Sequence, residues 1–128
     1  MNPADVSALC LGFPGAYEDF PFGPETSVFK VRAAGGKPKM FAMCNLSGDP
    51  VVISLKCEPQ LAEQLRAAHP QISGAWHMNK THWNQVVLDG VLAEGMVRDL
   101  VEDSYDLVVA SLPRRDQQSL TWKGLAQG

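Results

Sequence analysis

His77 and His82 are separated by four residues, a spacing within the range seen for zinc-finger histidine pairs. With Asp89 or Cys57 they could complete a metal site. Zinc-finger histidines, however, sit on a helix behind a cysteine pair, and the three cysteines here, Cys10, Cys44 and Cys57, contain no Cys-x-x-Cys spacing. Met78-Asn79-Lys80-Thr81 between the histidines has turn chemistry, in which His serves ordinary hydrogen bonding and Asn79 or Asn84 bonds backbone. The expectation is no metal and no cofactor, with the cysteines as buried core thiols. Glu18-Asp19 beside Tyr17 and Phe20 could be an acid/base pair, but an exposed turn explains them as well. No nucleophile elbow, phosphate loop or dinucleotide fingerprint is present, so an enzyme is the less favoured expectation.

Binding chemistry is better represented. Trp76 to Gly90 gathers two Trp, two His, two Asn and a Lys. Lys30, Arg32, Lys37 and Lys39 surround a second turn, Ala33-Ala34-Gly35-Gly36-Lys37-Pro38. Two projecting basic hairpins, the second bearing Lys80, His82 and Trp83, would suit nucleic acid, because cations meet phosphate and aromatic rings meet bases. The alternative is a small-molecule or protein-binding pocket around Trp76, His77, Asn79 and Trp83.

Composition is compatible with either. The chain has 128 residues and a net charge of −3, which excludes a uniformly basic binder but hides an uneven distribution. Between Thr26 and Cys57 the balance is +4, and between Glu94 and Asp106 it is −4. An apolar fraction of 45% with 20% charged residues is that of a globular domain able to bury one core. No apolar run is long enough to span a bilayer and no secretory leader opens the sequence, so the expectation is a monomeric, cytoplasmic protein without membrane contact.

The elements that must position these residues are legible from punctuation and periodicity. Asn2-Pro3-Ala4-Asp5 is a helix start, with Val6, Leu9 and Cys10 as its stripe and Gly12 as its stop. Tyr17 to Phe22 is extended. Ser27–Arg32 and Lys39–Leu46 form a hairpin, and Val51 to Cys57 alternates as a third strand. Glu58-Pro59 opens a helix to Ala68 with Leu61 and Leu65 as its buried spine. Ile72–Met78 and His82–Leu88 pair across Asn79-Lys80-Thr81. A last helix runs from Ala93 to Leu112, ended by Pro113. The result is an α+β domain over residues 1–113, an antiparallel sheet of about five strands packed on one face by the first and last helices. Residues 114–128 fall outside the periodic pattern and are expected to form a tail pinned by Leu120 and Trp122.

Several stretches together resemble the MmcQ/YjbR family, in order and in register: Phe13-Pro14-Gly15-Ala16, Phe22-Gly23-Pro24-Glu25-Thr26, Lys39-Met40-Phe41-Ala42, Leu55-Lys56-Cys57-Glu58-Pro59, Trp76 to Asn84, and Ser104-Tyr105-Asp106-Leu107-Val108. The resemblance covers about Ala4 to Pro113. It implies a CyaY-like fold, similar to the frataxin architecture, with the hairpins acting as paired wings on DNA; it brings no catalytic residues. Two positions depart from the family pattern, Glu58 where Asp is usual and Ala93 where Pro is common. Both fall at helix starts.

Overall fold

The computed structural model describes the backbone of residues 1–127 and the side chains of residues 1–120. Helix α1 (Pro3–Leu11) begins at the expected Asn2 cap, which closes into a capping box: the Asp5 N–H donates to Asn2 Oδ1 and the Asn2 N–H to Asp5 Oδ2. Strands β1 (Ala16–Asp19), β2 (Ser27–Val31), β3 (Lys39–Cys44) and β4 (Val51–Lys56) follow. After α2 (Pro59–Ala68) come β5 (Ile72–Gly74), β6 (Trp83–Leu88), α3 (Glu94–Ala110) and α4 (Arg114–Gln127).

The six strands form one antiparallel sheet in the order β1-β2-β3-β4-β6-β5, one strand more than the expected five. Helix α3 lies on β3 and β4, α1 lies against β1, and α2 packs on the edge strand β5. Val6, Phe29, Phe41, Ile53, Leu55, Val101 and Val108 fill the space between sheet and helices, while Leu9 and Leu100 are only partly buried beside them. The β2–β3 register shifts between Phe29 and Lys30 of β2, so Phe41 is an extra residue in β3 that lets adjacent Phe41 and Ala42 both be buried. Phe13 stacks on Tyr105 at 4.6 Å, and Phe41 meets Tyr105 edge-on at 5.4 Å. Ser104, on the apolar stripe of α3, ties two strands together. Its hydroxyl donates to the Phe41 carbonyl at 2.5 Å and accepts from the Lys56 N–H at 2.8 Å.

Two local expectations need correction. The strand expected over Ile72–Met78 ends at Gly74, because the Met78 N–H turns back to the Ala75 carbonyl and the chain enters a loop instead. In α2 the buried position is Ala62, not Leu61, which is 37% exposed; α2 sits at the sheet edge and so hides less of its surface. Glu58 nevertheless caps α2, its carboxylate accepting from the Gln60 and Leu61 N–H groups, whereas Ala93 gives α3 no side-chain cap.

The segment read as a tail continues as α4. Leu120 is buried in the core and Trp122 lies outside the described side chains. Gly15 accommodates this docking: with φ at +73° it has no Cβ, where one would lie 2.5 Å from Leu120 Cδ2 and 2.7 Å from the Arg32 carbonyl. Among the described residues no helix is long and apolar enough to cross a membrane.

Candidate nucleic-acid interface

Strand pairing fixes where the two tips lie. Val31 pairs with Ala16 and Lys39, Ala42 with Leu55, and Lys56 with Trp83, so the 33–38 tip and the 75–82 loop leave the same end of the sheet. Their midpoints are three strand spacings apart, about 14 Å. The Lys39 ammonium donates to Ser111 Oγ at 3.2 Å, which places the C-terminal end of α3 and the start of α4 beside the first tip. There a groove of about 420 Å³ is lined by Gly35, Gly36, Lys37, Lys39, Arg115 and Asp116, among others. Arg114 and Arg115 are exposed at this end, and sequence periodicity gave them no place in any element.

The candidate residues do not all share one environment. Lys37, Lys39, Lys80 and His82 are exposed at the common end. Lys30 and Arg32 lie on the face of the sheet that carries no helix. Lys30 is committed to Asp19 at 2.8 Å; this hydrogen bond holds the carboxyl below its ordinary range and the ammonium above its own. The Arg32 guanidinium lies 5.8 Å from the centre of the Tyr17 ring.

The second loop is built from turns. The Thr81 N–H donates to Asn79 Oδ1 at 3.0 Å, and the His82 and Trp83 N–H groups donate to the Asn79 carbonyl at 3.0 and 2.9 Å. Asn79 therefore bonds backbone as its residue type suggests. Asn84 does not: its Oδ1 accepts from Arg66 Nε at 2.6 Å, and the same guanidinium donates to the Lys80 carbonyl. Arg66 thus straps the loop to α2, a role invisible in sequence because the partners lie 18 and 14 residues away. Gly74 leaves the space, since a Cβ there would stand 3.1 Å from Lys80 Cβ and 3.5 Å from the guanidinium carbon. Asn84 Nδ2 is buried without a partner beside a narrow gap lined by Cys57, Leu65, Leu100 and Asp103.

The four residues of the alternative pocket are distributed differently from a closed cavity. Trp76 is 71% exposed and stacks on His77 with centroids 4.9 Å apart and planes 23° apart. Trp83 is half-buried. His77 lines a cleft of about 140 Å³ on the helix-free face, whose floor includes Met43, Ser54 and Gln85, one row of paired positions. Among the described residues no three His, Cys, Asp or Glu side chains converge as a metal cluster. Burial pushes the Cys10 and Cys44 thiols up to about 12, and raises Cys57 by the same cause in lesser degree.

Comparison with known proteins gives a consistent answer. The YjbR family model matches residues 11–107. The chain is 41% identical over 110 residues to the uncharacterised protein YbdF of Escherichia coli O157:H7, covering 86% of each. It is 32% identical over 120 residues to the uncharacterised protein YjbR of E. coli K12, covering 94% of this chain and 98% of that one. The crystal structure of Deinococcus radiodurans protein DR2400, described by its DUF419 domain, superposes with a TM-score of 0.87 at 37% identity, over 94% of this chain and 88% of that one. A Pseudomonas syringae protein superposes with a TM-score of 0.68 at 31% identity, over 84% and 98%. The matched span contains both tips and every strand of the sheet, and the chain belongs to the YjbR family.

Proposed function

We propose that the end of the sheet carrying both tips is a nucleic-acid-binding surface that grips duplex DNA through its phosphates. The observation that carries this reading is the register, which sets Lys37, Lys39, Lys80 and His82 on one end, with Arg114 and Arg115 added by the start of α4. The spacing of about 14 Å between tips is comparable with the ~12 Å width of the B-DNA major groove. Among the described residues neither Lys37 nor Lys80 is held in an ion pair, so both charges are available to phosphate. Five acids, Glu94, Asp99, Glu102, Asp103 and Asp106, are exposed on α3 in the helical layer, and Asp116 lines the groove at the first tip beside Lys37, Lys39 and Arg115.

The test is the salt dependence of binding to a short duplex. Log affinity falls linearly with log salt, with a slope of about −0.9 per phosphate neutralised. Replacing Lys37 and Lys39 together with Gln lowers that slope by up to about two units; because Lys39→Gln also removes the bond to Ser111 Oγ, Lys37→Gln alone is the control and lowers the slope by about one. If those lysines are silent and damage concentrates at Trp76, His77 and Trp83, the pocket reading replaces this one. Absence of duplex and single-strand affinity at low salt defeats nucleic-acid binding altogether.

A further inference from the structure

We infer that the Trp76–His77 platform, with the cleft beside it, is a seat for an unpaired nucleobase, so the surface prefers nucleic acid with a single-stranded segment. This rests on the nucleic-acid reading above and narrows it. An indole 71% exposed has a free face, and its other neighbour is the imidazole stacked at 4.9 Å. Bases inside a duplex are already stacked and cannot use such a face; an unpaired base can. The loop is set before any ligand arrives, by the turns at Ala75–Met78 and Asn79–Trp83 and by the Arg66 strap on the Lys80 carbonyl. The backbone that carries the rings therefore does not have to be ordered at the moment of binding.

The cleft supplies the second half of the argument. His77 belongs to both the ring pair and the cleft wall, so the platform adjoins a row of polar groups, Gln85, Ser54, Thr26 and Asn45. These groups both donate and accept hydrogen bonds, and no carboxylate lines the cleft. Lys80 is exposed four residues beyond Trp76 in the same loop, where it can meet the phosphate flanking an unstacked base. A protein partner would also use an exposed Trp, but the uncharged polar cleft and adjacent cation favour a base on its sugar-phosphate strand.

The experiment compares a 12-nucleotide oligothymidine with a duplex of equal length, using tryptophan fluorescence and affinity for the full chain, Trp76→Ala and Trp76→Phe. Tighter binding of the single strand is expected, with quenching that disappears in Trp76→Ala. Affinity for the single strand falls about 5- to 150-fold in Trp76→Ala, the range of one stacked base, and returns in large part in Trp76→Phe. The melting temperature stays put, because an exposed ring is not part of the core. If the duplex binds with the expected salt slope while Trp76→Ala leaves single-strand affinity unchanged, the base seat is overturned and the phosphate surface stands. If neither nucleic acid binds, both readings fall and Trp76 is free for a protein contact.

Discussion

The two hairpins leave the same end of the sheet but are held by opposite means. The first tip is a glycine-containing turn with lysines and no rings, anchored through Lys39 to Ser111 and lying close to Asp116 of α4. The second is a polar loop with rings and one lysine, anchored by its own Asn79 and by Arg66 of α2. Each tip is thus steadied by a different helix, and charge and ring are divided between them. They are unequal wings: one is suited to phosphate and the other to a base.

The largest effect that could break this contrast lies in the second loop. Arg66→Ala removes the bonds to Asn84 and to the Lys80 carbonyl and leaves a fully buried amide without any partner. Urea unfolding should show a loss of about 2–3 kcal/mol, with faster amide exchange across 75–82. An unchanged stability would mean that the turns alone hold the loop. At the first tip, Gly36→Ala brings a Cβ to 2.8 Å from Asp116 Oδ2, and the tip or α4 must shift. A loss of about 1 kcal/mol is expected, while amide exchange in 75–82 stays at its original rate.

Asn79→Ala should destabilise by about 1 kcal/mol through the lost bond to Thr81, an effect confined to the second loop. The smallest effect concerns Lys30 and Asp19. Asp19 has its carboxyl lowered in the folded state, first by the hydrogen bond from Lys30 and then by the Phe20 N–H. The contribution is therefore complete above the ordinary carboxylate range and is lost as pH falls through the lowered value. Asp19→Asn should remove a shallow acid-side slope from the stability profile, and Lys30 then joins the cations open to phosphate.

What the sequence revealed and what it hid divide along the same line. Caps, prolines and alternation placed α1, α2, α3 and the β2–β3–β4 meander, because those signals act within a few residues. The second loop reads in sequence as a tight hairpin, because Trp76, His77 and Met78 are compatible with a strand, and only the turn at Ala75 shows that the chain has left the sheet. Leu61 was assigned to the core by its spacing, but the edge position of α2 is a tertiary fact. Arg114 and Arg115 carried no periodic signal, since α4 is held, among the described residues, by tertiary contacts such as Leu120 over Gly15, 105 positions earlier, and the Gln117 amide on the Ala110 and Leu112 carbonyls. The Arg66 strap was illegible for the same reason, a polar contact between elements that looks from sequence like a solvated arginine.

The buried thiols have a practical consequence for chemistry done on this protein. With Cys10 and Cys44 raised to about 12 by burial, both thiols stay protonated at neutral pH, and Cys57 is both buried and raised. A native sample should resist maleimide and tolerate air without reductant. A Lys80→Cys variant then carries a single reactive handle at the end of the sheet where both tips meet, so a dye placed there reports on that surface alone.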